Sequence, residues 1–196
     1  MKIKIAAGIL LAGSFVCWAH GAEGGIVAFS QQDAPRQTTA SGELHYKAPE
    51  GWVTEHPSSS MRVAQYKLPK AEGDREDASL VLYYFGATQG GSAQANIDRW
   101  ISQIQQPDGG SSKEKAKTDT INVNGLKVTT VDVAGTYTAE MAPGSSEHHN
   151  DAGYRLRAAV IETPKGNYFV KLVGSAKTVH RWEQSFTDYM KSFEFK

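Results

Sequence analysis

Two short stretches of the 196-residue chain carry residue types that do chemistry, and each has a structural reading beside the chemical one. The first is Gly86-Ala87-Thr88-Gln89-Gly90-Gly91-Ser92, set between an apolar run and a helical pattern. Glycine loops in that setting cradle phosphates, because their amide groups meet an anion at a helix start. The lysine that neutralises the terminal phosphates in a P-loop is missing, which argues against nucleotide hydrolysis. Gly90, Gly91 and Ser92 remain candidates for holding a small anion; the plainer reading is that the glycines make a turn and Ser92 caps the helix. The second stretch is Glu147-His148-His149-Asn150-Asp151, a cluster of metal-ligand types. Adjacent histidines in a strand point to opposite sides. Glu147, His148, His149 and Asp151 would therefore share an ion only from a flexible loop, or with help from His45, His56 or His180. Here the plainer reading is a solvated loop.

Other patterns are weaker. Ser112-Lys113-Glu114-Lys115 fits Ser-x-x-Lys, but the partner motifs of that chemistry are absent. Neither a Gly-x-Ser-x-Gly elbow nor a His-Glu-x-x-His pair occurs, and Asp74, Glu76 and Asp77 do not have calcium-loop spacing. Lys113, Lys115 and Lys117 alternate, as expected on one face of an edge strand, where charge deters sheet-to-sheet aggregation. Asp132 imitates the magnesium-holding acid of a P-loop enzyme but follows a hairpin turn, so an antiparallel strand is expected there. No catalytic residue and no cofactor are assigned, and the chain reads as a non-enzyme.

The elements that must position these residues are organised around Ser79 to Ile104. The run Leu80-Val81-Leu82-Tyr83-Tyr84-Phe85 has no polar alternation, which predicts a central strand covered on both faces. Ile97, Trp100, Ile101 and Ile104 then recur at helical spacing, and that helix is expected to be one of the covers. Met61 to Leu68 reads as a strand ending at Pro69, and the chain from Lys113 reads as strand. Asn124-Gly125 is a strong hairpin signal, because both residues tolerate positive φ. A second hairpin pairs Tyr154 to Glu162 with Tyr168 to Val173. Val179, Trp182, Phe186, Tyr189, Met190 and Phe193 form one apolar stripe, predicting a single terminal helix against the sheet. Trp52, Trp100 and Trp182 all lie in apolar patterns and are expected in the core.

The first residues have a three-part leader pattern: Lys2 and Lys4, an apolar run from Ile5 to Val16, and small residues around Ala19 to Ala22. A signal peptide over 1–21 is expected, with export to the periplasm or outside the cell. Cys17 would be acylated in a lipoprotein, but Ser14-Phe15-Val16 places bulky residues where small ones are required. Loss of Lys2 and Lys4 takes the basic residues from 21 to 19 against 21 acids, a net charge of −2. That balance excludes the basic surplus on which nucleic-acid binding depends. No transmembrane helix is expected in the mature chain. Residues 22–42 are rich in Gly, Gln, Thr, Ser and Ala and read as a flexible leading segment, and 43–196 as a single domain.

Hairpin-linked strands with few helices point to an α+β fold, a mainly antiparallel sheet sandwiched by helices. The turn Tyr46-Lys47-Ala48-Pro49-Glu50-Gly51-Trp52 and the aromatic end Phe193-Glu194-Phe195 extend this pattern. Over residues 42–196 the chain resembles the PsbP-like sandwich, a group that includes an extrinsic photosystem II subunit and many exported bacterial proteins. The resemblance implies that fold and a tendency to dock on larger partners, and it implies no catalytic residue. The expected function is an exported binding or docking module whose partner is a protein or cell-envelope component. The alternative is a metal-dependent protein or enzyme using the 147–151 loop.

Overall fold

The computed structural model describes residues 42–196. The expected leader, Cys17 and residues 22–41 of the leading segment lie outside the described residues.

Alternating apolar residues build an eight-stranded sheet in which every neighbouring pair is antiparallel. In chain order its strands are β2 (Val53–Glu55), β3 (Arg62–Leu68), β4 (Ala78–Tyr84), β5 (Ile104–Gln105), β6 (Lys117–Val123), β7 (Leu126–Tyr137), β8 (Asp151–Thr163) and β9 (Gly166–Ser175). In space they run β2, β3, β4, β9, β8, β7, and both β5 and β6 pair with β7. A separate pair joins β1 (Leu44–His45) to β10 (Glu194–Phe195), so the two ends of the described chain meet. The helices are α1 (Ala93–Ser102), α2 (Ser112–Lys115), α3 (Ala176–Arg181) and α4 (Glu183–Lys191).

The fold is α+β, a mainly antiparallel sheet between helices, as the sequence implies. On one face α3 and α4 set Val179, Phe186, Tyr189 and Met190 against Leu68, Leu80, Leu82, Val128, Ile161, Val170 and Leu172. On the other, α1 sets Ile97, Trp100 and Ile101 against Val131, Val133, Leu156, Ala158 and Val160. Consecutive residues Ala158, Ala159, Val160 and Ile161 are each 0 % exposed, so β8 is covered on both sides. Each such large side chain contributes about 1.5–3 kcal/mol by leaving water.

The structure corrects three expectations. First, α1 packs chiefly on strands other than the one it follows. It crosses to β7 and β8, with Trp100 meeting Phe169 on β9 at 6.5 Å between ring centroids and Tyr83 of β4 packing against the same cluster. On that side β2 and β3 carry no helix among the described residues, and Val53 and Val63 are 52 % and 41 % exposed. Ile104 belongs to β5 and not to the helix.

Second, the terminal helix is broken at Trp182, whose φ of −99° and ψ of 12° separate α3 from α4. Apolar offsets of three and four survive one such break, so periodicity is blind to it. Trp182 is half-buried rather than core. Its indole N–H donates to the Pro69 carbonyl at 2.8 Å, and its ring lies over Gly51, where a Cβ would come within 2.8 Å of it.

Third, Lys113 and Lys115 lie in the short helix α2, and only Lys117 is in a strand. Ser112 decides this: its hydroxyl donates to the Ile104 carbonyl at 2.6 Å and accepts from Gln106 at 3.0 Å, pinning the turn to β5. The Asn124-Gly125 hairpin forms as read, with φ of 50° and 84°. The Asn124 amide also donates to the Phe193 carbonyl at 2.8 Å, tying the hairpin tip to the end of α4.

Candidate functional site

The glycine loop is tied up by its own surroundings. Ser92 caps α1, its hydroxyl accepting from the Ala95 amide at 3.2 Å. The Asn96 side chain, 3 % exposed, donates to the Gly90 and Ser92 carbonyls at 2.7 and 2.9 Å. Asn167 donates to the Gly91 carbonyl at 3.2 Å. Gly90 is required twice over: its φ is 88°, and a Cβ there would lie 2.6 Å from the Phe169 ring. The loop's geometry is that of a packed turn before a capped helix.

The 147–151 loop separates most of its candidate ligands. The His149 Nδ1 meets the Asp151 carboxylate at 2.8 Å, and the His149 ring lies 5.0 Å from that of Tyr137. His148 instead contacts the Thr138 carbonyl through Nδ1 at 3.1 Å, in a short bridge between Glu140 and His148. Glu147 is exposed and takes part through its backbone, the amide donating to Ser145 and the carbonyl accepting from Met141. Of the candidates, His149 and Asp151 come together and Glu147 and His148 do not. Among the described residues no group of three His, Cys, Asp or Glu is placed to hold a metal.

A different constellation forms where α1 ends. Lys171 on β9 projects to the α1 side of the sheet, between Val81 and Ala158 on the neighbouring strands. Its ammonium donates to Gln103 Oε1 at 2.6 Å and to the Tyr137 hydroxyl at 2.9 Å, and it sits 5.0 Å from the centre of the Tyr137 ring. No carboxylate among the described residues pairs with it. Burial, then repulsion from Arg99, holds the amine down to about 8, so it is still mostly charged at neutral pH. Burial pushes Tyr137 up to about 12, helped by Tyr83 and by Asp151. Tyr83 is also raised by burial, against the pull of Arg62 and Arg99. The Arg62 guanidinium lies 5.5 Å from the centre of the Tyr83 ring.

The second set of buried charges shows what a partnered arrangement looks like. Between the sheet and α4, Arg155 donates to Asp132 at 2.7 Å and to Glu183, while Arg157 approaches both acids and lies 4.8 Å from the Phe186 ring centre. Two guanidinium groups meet two carboxylates. The Arg155 hydrogen bond holds the Glu183 carboxyl below the usual range. Asp132 is thus in an antiparallel strand, fastening a helix.

Sequence reasoning passed over Lys171. The available signal was one charged residue inside Phe169-Val170-Lys171-Leu172-Val173, a stretch otherwise apolar. Its partners Gln103 and Tyr137 are 68 and 34 positions away and carry no local pattern.

No family model matches the chain, and no curated protein sequence is significantly similar to it. Solved structures are similar in fold. LpqN of Mycobacterium tuberculosis, described as involved in cell envelope biogenesis, aligns with a TM-score of 0.51 at 9% identity, over 84% of this chain and 87% of its own. That likeness shows the fold. Two further ones are weaker. A Pseudomonas aeruginosa protein of unknown function has a TM-score of 0.43 and 16% identity over 72% of this chain and 94% of its own. The cyanobacterial PsbP of Synechocystis has a TM-score of 0.43 and 11% identity over 79% and 92%. No described helix is long and apolar enough to cross a membrane.

Proposed function

We propose that the protein is an exported binding module of the cell envelope, working without turnover through the half of the sheet that α1 leaves open. One observation carries this reading. Where that half-face borders α1, Lys171 has no carboxylate partner and lies with Arg99 of α1 and Arg62 of β3 around two phenols, whereas under α4 two arginines meet two carboxylates. Half-buried cations are normally paired, so an unpaired one at the border of an uncovered face marks a place for something from outside. Val53, and Met61 and Val63 at the start of β3, add exposed apolar surface beside it. The compartment follows from the leader expected over 1–21, and LpqN, with a similar fold, is a protein of envelope biogenesis. The metal-dependent alternative is less well supported, because His148 and His149 turn to different partners.

Photocrosslinking in cells that make the protein tests the reading. A photoreactive residue at Val53 or Val63 should yield a discrete adduct, while one at Ile121, exposed on β6 at the far edge of the sheet, should not. Equal labelling at all three positions, or none, would remove the docking face.

A further inference from the structure

The hydrogen-bonding groups around Lys171 are almost all donors. The ammonium has three N–H groups and spends two, on Gln103 and on the Tyr137 oxygen. The Tyr137 hydroxyl accepts from Lys171, so its own proton is left without an acceptor among the described residues, and Tyr83 packs against the same cluster with the Arg62 guanidinium 5.5 Å from its ring centre. Arg99 is exposed and uses one N–H on Asn96 Oδ1 at 2.6 Å, leaving others to face the same region. The nearby acids are engaged elsewhere: Asp151 by His149 at 2.8 Å, Glu76 by the Tyr154 hydroxyl, Asp98 by Lys113 at 3.7 Å, and Glu55 on β2 by Lys67 at 3.0 Å and by Gln65, which also accepts from Arg62. A set of convergent donors with no acceptor is complementary to an anion.

We propose that the surface at Lys171 binds a carboxylate, held by the Lys171 ammonium and the Tyr137 hydroxyl, with Tyr83 and Arg99 beside it. This rests on reading the open half-face as the binding face, and it names what that face takes. The choice of carboxylate over phosphate follows from charge and surroundings. The half-buried Lys171 balances a monoanion, Arg99 being exposed and screened by water, whereas a phosphate monoester carries about two charges at neutral pH. A second charge taken out of water is costly unless fixed cations surround it. Aromatic rings lie alongside: Tyr83 stacks on Phe85 at 5.9 Å, and Tyr137 on Tyr154 at 6.3 Å. Aromatic surroundings with a few placed polar groups suit an organic acid with a flat or apolar body. Binding would also relieve the repulsion that Arg99 exerts on Lys171.

Isothermal titration of the full chain at pH 7 and constant ionic strength tests this with three probes: sodium benzoate, neutral benzamide and inorganic phosphate. Benzoate should bind saturably at one site, and the other two at least tenfold more weakly. Tyr137→Phe keeps the ring and removes one donor, so it should weaken benzoate about tenfold or more, as expected for a hydrogen bond to a charged group. Lys171→Met should abolish binding while circular dichroism stays as in the wild type; should that variant not fold, the Tyr137→Phe result decides. Benzamide binding as tightly as benzoate would overturn the role of charge, and phosphate binding more tightly would overturn the ligand class. No benzoate binding, with adducts still forming at Val53 or Val63, would overturn the carboxylate site and leave the docking face standing. Benzoate binding without adducts would overturn the docking face alone.

Discussion

Lys171→Met should change stability in a way that depends on pH, and the dependence can be worked from the structure. In the folded chain burial holds the Lys171 amine at about 8, against an ordinary value of 10.5. The unfolded chain therefore binds more protons than the folded one between those values, and wild-type stability rises through that window relative to a variant lacking the amine. Below pH 8 both states are protonated and the full cost of the buried charge is present. At pH 10 most of it is relieved. With these two values the wild-type gain between pH 7 and pH 10 is on the order of 2–3 kcal/mol. The absolute difference at pH 7 is harder to sign, because methionine removes a buried charge but leaves Gln103 and Tyr137 without their donor, at about 1–3 kcal/mol. The change with pH is free of that term. Tyr137 sits near 12, so it does not ionise in the folded site within the window, and burial raises Tyr83 as well. The Arg62 and Arg99 side chains and the His149–Asp151 pair are present in both proteins. Urea unfolding of wild type and variant at pH 7, 8, 9 and 10 measures the difference at each pH. A difference that stays flat within about 0.5 kcal/mol, or that moves the other way, would refute the burial of an unpaired ammonium at this position.

Three further outcomes follow from the fold. Trp182→Ala should cost about 1–3 kcal/mol in chemical denaturation, below the value for a fully buried tryptophan, because the ring is half-buried and loses one hydrogen bond to Pro69; a cost above 4 kcal/mol would mean that it belongs to the core after all. Ser92→Ala should cost about 0.5–2 kcal/mol as a lost helix cap, and magnesium with ATP should leave the melting temperature of the wild type unchanged; nucleotide binding abolished by this substitution would return the glycine loop to a functional role. Mass spectrometry of the exported protein should find an N-terminus near Ala22; an intact Met1 or an acylated Cys17 would contradict the leader.

Several features that depend on near neighbours were legible in the sequence, although the short helix at Ser112–Lys115 was not. The Asn124-Gly125 turn, the Ser92 cap, the buried strand at Leu80 to Leu82 and the helix through Ile97 and Trp100 are set by backbone preference and by apolar period, both of which are local. The antiparallel α+β class followed from how hairpins and helices are ordered. Tertiary structure decided the rest. Where α1 lands, and so which half of the sheet stays open, depends on how the chain leaves Gly90 and Gly91 and on what β7 and β8 present, which no helical period encodes. The break at Trp182 depends on Pro69 and Gly51, far away in the chain. Motif reading singled out residues 147–151 as a cluster of ligand types while holding that adjacent histidines point to opposite sides, and in the fold His148 and His149 do turn to different partners. Lys171 carried no motif. Its character comes from desolvation and from its surroundings, Gln103 and Arg99 at and before the end of α1, Tyr137 at the end of β7 and Tyr83 on β4, and only folding brings these elements together.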